Sequence, residues 1–136
     1  MTQLLAGEPT LSVGEAAMRV GLSTHTLRWY EQEGLVAPVG RDSVGRRRYT
    51  EEDLGWLDLL TKLRRTGMPV RDMRRYAELA REGDQTLPER LRLFKEHRVR
   101  VQARIAELQT DLDVINYKID LYGRLGSRAD PDSNAP

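Results

Sequence analysis

Four arginines, Arg41, Arg46, Arg47 and Arg48, fall within eight residues against a single acid, Asp42. A guanidinium offers planar, paired donors that meet a phosphate or a guanine edge two at a time, so such a run suits a polyanion. If the segment is a strand, Arg47 and Tyr49 share one face while Arg46 and Arg48 share the other. Both faces cannot bury guanidinium groups, so at least one set points to solvent or phosphate. A second group lies upstream, in Thr24, His25, Thr26, Arg28, Trp29 and Tyr30. Arg28 can meet guanine or phosphate, the threonine hydroxyls either groove partner, and Tyr30 a phosphate oxygen. Trp29 suits partial burial as well as it suits nucleic acid, and His25 suits open solvent equally. A third cluster, Lys62, Arg64, Arg65, Arg71, Arg74 and Arg75, extends the basic track through Arg65 and otherwise decorates outer helix faces.

Other chemistries lack their residues. Without cysteine there is no disulfide, thiolate metal site or redox switch. His25 and His97 are far apart in sequence, and no glycine-rich cradle assembles a nucleophile and base, so neither an enzyme nor a metal or cofactor is expected. The stretch GRDSVGRR lacks the Lys-Ser/Thr pair of a phosphate-binding loop. Net charge is only +1, so the argument for nucleic acid rests on where charge sits. All but three of the 22 basic residues are arginine, a bias that GC-rich genomes also produce. The first residues have neither a basic segment nor a signal-length apolar run, and no stretch approaches about 18 apolar residues. A cytoplasmic, nucleoid-associated protein without membrane contact is expected.

The elements that would position these residues are mainly helical. Residues 1–10 have no periodicity and read as a flexible arm. Ser12 with Glu15 forms a capping box that opens a helix bearing Val13, Ala16, Ala17 and Val20, closed by Gly21. Ser23 caps a second helix after a turn of about three residues, running through Leu27 towards Gly34. Two short helices joined so tightly suggest a helix-turn-helix. LVAPV, residues 35–39, then reads as a short strand with Pro38 marking an edge, Gly40 to Gly45 as a turn, and RRRY as the returning strand of a small wing. Thr50 with Asp53 caps a third helix whose Leu54, Leu57, Leu60 and Leu63 face a core, ending near Gly67. A fourth starts at Met68-Pro69, turns Met73, Tyr76, Ala77 and Ala80 inward, and stops at Gly83.

Beyond it runs an unbroken 4-3 spacing: Leu87, Leu91, Phe94, Arg98, Val101, Ile105, Leu108, Leu112, Ile115, Ile119 and Tyr122. A head of this size cannot cover such a seam, so Leu91, Phe94, Val101, Ile105, Leu108, Leu112, Ile115 and Ile119 are expected to pair two subunits. Residues 89–104 carry mostly Arg and Lys, whereas 105–122 carry Glu107, Asp111, Asp113 and Asp120 against Lys118. An antiparallel pair sets the basic half of each helix against the acidic half of its partner, with Arg104 near Asp111 of the partner subunit. Exposed pairs are usually worth under about 1 kcal/mol, and the charges could equally solvate outer positions. The expected organisation is therefore an arm (1–10), a winged helix-turn-helix head (11–83), an antiparallel coiled-coil dimerisation helix (87–122) and a disordered tail (123–136).

Taken together, LSVGEAAMRVGLSTHTLRWYEQEGL, GRRRYTEEDL, LRRTGMPVRDMRRY and a long helix ending in INYKIDLY resemble the MerR family of bacterial regulators over roughly residues 11–122. The resemblance implies a winged-helix head, an antiparallel coiled-coil homodimer and a near-palindromic operator in promoter DNA. Family members commonly sit on an over-long promoter spacer and twist or bend it, so that RNA polymerase engages both promoter elements. Carried over by motif, Arg28 and Tyr30 of RWYE, and Arg47 and Tyr49 of RRRY, would contact DNA. The family's metal and redox sensors use cysteines that are missing here, and its drug sensors append a ligand domain for which this sequence has no room. Length and tail resemble the short aldehyde- or stress-responsive branch, whose thiol trigger could not operate without cysteine. The competing class is an interaction adaptor working through its coiled coil, which would need no arginine wing and would not retard promoter DNA.

Overall fold

The structure, a computed structural model, describes residues 9–37 and 39–129. It divides into two compact units, with the boundary inside the last helix between Lys95 and Glu96. Most of the expected arm, Pro38 and the end of the tail lie outside the described residues.

Helix α1 spans Val13–Val20 and opens on the expected capping box: Glu15 N donates to Ser12 Oγ at 3.2 Å and Ser12 N donates to Glu15 Oε1 at 3.1 Å. Gly21 closes it with φ +74°, where an L side chain would be strained. Helix α2, Thr24–Gln32, starts on Ser23, whose Oγ accepts from Thr26 N at 3.0 Å. Helix α3, Glu51–Arg65, repeats the capping-box logic with Asp53 in place of Glu: Thr50 N donates to Asp53 Oδ2 and Asp53 N to Thr50 Oγ1. Helix α4 is Val70–Glu82, and a short 3-10 turn over Asp84–Thr86 leads into α5, Leu87–Ala129.

The wing departs from the expected strands. Strand β1 is Gly40–Arg41 and β2 is Arg47–Arg48, antiparallel, with Gly40 opposite Arg48 and Arg41 opposite Arg47. The turn sets this register. Asp42 Oδ1 accepts from Val44 N at 3.0 Å and Arg46 N at 2.9 Å, and Gly45 takes φ +84°. The described residues of the run expected as the first strand, 35–37 and 39, form none. Leu35, Val36 and Val39 are buried, and Trp56 Nε1 donates to Leu35 O at 2.8 Å, so these three side chains join the core from irregular chain. Its continuous hydrophobicity reported burial, which a short run shares between strand and loop.

The core of the head gathers Ala16 and Ala17 of α1, Leu27 and Tyr30 of α2, Leu54, Leu57, Leu60 and Leu63 of α3, and Met68 and Met73 around the start of α4. Leu11 pairs backbone to backbone with Tyr49 in an isolated bridge, holding the wing base against the start of α1. An aromatic stack flanks this core: Trp56 lies 5.2 Å from Tyr76, and Tyr76 lies 4.8 Å from Phe94. Phe94, expected on the pairing seam, is thereby half-buried in its own head.

Helix α5 is 43 residues long, about 65 Å at the standard rise. It continues past Tyr122, where the tail was expected to begin. Gly123 and Gly126 lie inside it at a cost of about 1 kcal/mol each relative to alanine. Arg128 in its last turn opposes that cost by meeting the negative end of the helix dipole.

Candidate nucleic-acid interface

Where the start of α1, helix α2 and the wing converge, a cleft of about 360 Å³ is lined by Arg28, Arg41, Arg46, Arg47 and Arg48, together with Ser12 and Val13. Among the described residues no carboxylate lines it. Five guanidinium groups around one concave surface make a site for a polyanion, because each can donate paired hydrogen bonds to phosphate oxygens.

The five are held differently. Arg28 is exposed on α2. Arg41 donates from Nη1 to Gly45 O at 2.8 Å, bracing the turn. Arg46 is open, its side chain 79% exposed, with Nε 3.3 Å from Asp42 Oδ2. Arg48 donates from Nε to Thr10 Oγ1 at 3.0 Å and from Nη2 to Thr10 O at 2.9 Å, tying the wing to the segment before α1. Arg47 points its Nε at Glu31 Oε2, 2.9 Å away; the approach is that of an ion pair and is not aligned as a hydrogen bond.

Alternation along β2 is observed as expected, since Tyr49 reaches the same carboxylate as Arg47: its hydroxyl donates to Glu31 Oε1 at 2.8 Å. Burial, then the Glu31 carboxylate, pushes the Tyr49 hydroxyl far above its ordinary value, so it stays a donor at any physiological pH. Asp42 is held below the ordinary carboxylate range, first by the backbone N–H of Arg46 and then by that of Val44.

Two of the expected contact residues are buried in the single chain. Tyr30 is 3% exposed and Tyr49 1% exposed, both within the head core. Burial raises the Tyr30 hydroxyl above its ordinary value, opposed by a hydrogen bond with Thr61. Neither ring is presented to a phosphate; an aromatic that completes a small core is worth more there than on the surface. Trp29 is half-buried against the core, its ring 5.4 Å from that of Tyr30. His25 is exposed, Thr24 half-exposed, and the Thr26 hydroxyl lies 2.9 Å from Ser23 Oγ at the helix cap. Arg65 is exposed near the end of α3 and is not among the residues lining the cleft.

The third basic cluster is largely offset by acids. Lys62 pairs with Asp58, Arg74 with Glu33, and Arg75 with Glu89 and Glu78. Glu31 was not foreseen. Its signal was available in the alternation itself, because a buried tyrosine and an arginine on one strand face require an acceptor opposite. Among the described residues no cluster of three or more His, Cys, Asp or Glu could hold a metal ion, and no helix is long and apolar enough to cross a membrane.

Helix-turn-helix, wing and arginine-lined cleft define the class: a winged-helix DNA-binding head. Comparison with known proteins then narrows it. A family model described as MerR HTH family regulatory protein matches residues 11–79, and one described as MerR, DNA binding matches residues 54–116. An HTH-type transcriptional regulator of Haemophilus influenzae is 46% identical over 113 residues, 83% of this chain and 84% of the relative. The regulator AdhR of Bacillus subtilis is 34% identical over 67% of this chain and 65% of its own. Among solved structures, HiNmlR, a MerR family regulator lacking the sensor domain and bound to promoter DNA, superposes with TM-score 0.79 at 44% identity over 89% of this chain and 94% of that one. The chain belongs to the MerR family of HTH transcriptional regulators.

Proposed function

We propose that this DNA-binding regulator works as a homodimer on a two-fold symmetric operator within a promoter, each head setting α2 in a major groove and its wing arginines on the flanking backbone. The observation that carries this reading is the five-arginine cleft at the junction of α1, α2 and the wing. The relative that superposes on most of this chain was captured on promoter DNA. Arg28, beside exposed His25 and half-exposed Thr24, supplies base readout, and Arg41, Arg46, Arg47 and Arg48 supply backbone contact.

Pairing runs through the second unit, where Ile105, Leu108, Leu112, Ile115 and Ile119 are between 46% and 63% exposed in the single chain. The antiparallel arrangement sets Arg104 beside Asp111 of the partner subunit; within its own chain Arg104 holds Glu107 at 3.2 Å. Dimeric binding bends or untwists the promoter spacer, and RNA polymerase responds to that change without touching this chain. Such a regulator works in the cytoplasm, on the nucleoid. Nuclease footprinting on promoter fragments, combined with light scattering for subunit count, tests the proposal: a dimer with a symmetric, salt-sensitive footprint supports it, and a monomer or unprotected DNA refutes it.

A further inference from the structure

Glu31 touches both of the residues which β2 turns towards α2, and its side chain is only 15% exposed. It lies near the end of the helix expected to read bases, while Arg47 and Tyr49 lie in and just after the wing strand expected to follow the backbone. A hydroxyl on one carboxylate oxygen and a guanidinium on the other fix both the distance and the rotation between the two elements. The same ion pair offsets one of the five positive charges around the cleft, as Asp42 offsets that of Arg46. Sequence-independent affinity for DNA scales with the number of phosphates neutralised, whereas sequence preference depends on where the base-reading side chains are held. A charge removed from the first term and a strut added to the second both favour discrimination.

We propose that Glu31 is a specificity-determining positioning residue: by holding Arg47 and Tyr49 it locks the wing to the recognition helix and tempers, without abolishing, the phosphate contact that Arg47 makes. The inference rests on the DNA-binding reading of the head. Its consequence is an inversion of the usual effect of interface substitutions, in that loss of Glu31 strengthens binding to arbitrary DNA while weakening the preference for the operator.

The test compares Glu31→Gln and Tyr49→Phe with the unaltered full-length dimer. Fluorescence anisotropy is read on an operator duplex and on a scrambled duplex across a salt series, and thermal melts confirm that each variant is folded. Glu31→Gln keeps an acceptor for Tyr49 but removes the charge. It is expected to steepen the dependence of log K on log salt measurably, by less than about one, to tighten scrambled-duplex binding, and to lower the operator-to-scrambled ratio by about tenfold. Tyr49→Phe keeps the charge and loses only the hydroxyl bond, so its salt slope should match the unaltered protein while its ratio falls less. An unchanged slope or an unchanged ratio in folded Glu31→Gln overturns the inference, as does a Tyr49→Phe slope shifted as far as that of Glu31→Gln, which would assign the effect to loosening. If the unaltered protein binds neither duplex, the failure belongs to the DNA-binding reading instead.

Discussion

In the head, Leu27, Leu35, Leu57, Leu60, Met68 and Met73 are sealed from solvent, whereas along the second unit Ile105, Leu108, Leu112, Ile115, Ile119 and Tyr122 stay half exposed or nearly so. Full burial of such a side chain contributes about 1.5–3 kcal/mol, so the head secures this gain from its own sequence and the long helix leaves it for a second surface. Polar groups divide in the same way. Besides its local caps and pairs, the head engages polar groups across elements, as in Arg48 to Thr10 and Tyr49 to Glu31. Those of the helix pair locally, as in Arg104 with Glu107 and Gln109 with Asp113. One region encloses its apolar side chains; the other leaves an apolar seam open in the single chain.

The largest expected effect breaks the helix side of this comparison. Leu112→Asp places a charge in the seam and should convert the dimer to a monomer by light scattering. Affinity for a two-fold site should then fall by at least about 100-fold, through lost bivalency, while the isolated head remains folded. A dimer that survives the substitution would move the interface elsewhere.

Next come the cleft arginines. Arg28→Ala and Arg47→Ala should each cost about 1–3 kcal/mol in operator binding by anisotropy. They should differ in kind: Arg28→Ala alters which base is preferred at its contact, and Arg47→Ala weakens all sequences and flattens the salt slope. Identical effects on preference would erase the division between reading helix and wing.

How far these features were legible follows from where their causes lie. The capping residues Ser12, Ser23 and Thr50 act on their own helix within three residues, so the helix starts could be read directly. The 4-3 seam is likewise a local pattern. Strand placement in the wing was not, because the turn organised by Asp42 shifts the pairing to Gly40–Arg41, and the burial of Leu35 and Val36 depends on α3 bringing Trp56 across. A tyrosine near a cluster of arginines fits a phosphate contact by type, and only tertiary packing reveals that its ring fills the core. The tail begins later than its composition suggests, because two isolated glycines in a long helix are tolerated and residues 123–129 continue α5.

A smaller effect sharpens the wing. Asp42→Ala removes the acceptor for Val44 N and Arg46 N, and should lower operator affinity severalfold with little change in the melting of the helical core. Because the folded carboxyl is held below its ordinary value, its support is complete above the ordinary carboxylate range and is lost as pH falls through the depressed value. Wing amides followed by NMR should therefore broaden on acidification before the helices melt. The smallest expected effect is that of Tyr30→Phe, which should leave operator affinity within about twofold because the hydroxyl is used inside the head and not on DNA. A large loss would return Tyr30 to the interface.

The central claim is that the arginine-lined cleft is the DNA-binding surface of a paired head, and footprinting of the Arg28→Ala, Arg47→Ala double variant tests it most directly. The unaltered protein is expected to protect a two-fold symmetric site that fades as salt rises, and the folded, dimeric double variant is expected to leave that site open to nuclease. Undiminished protection by the double variant would contradict the claim.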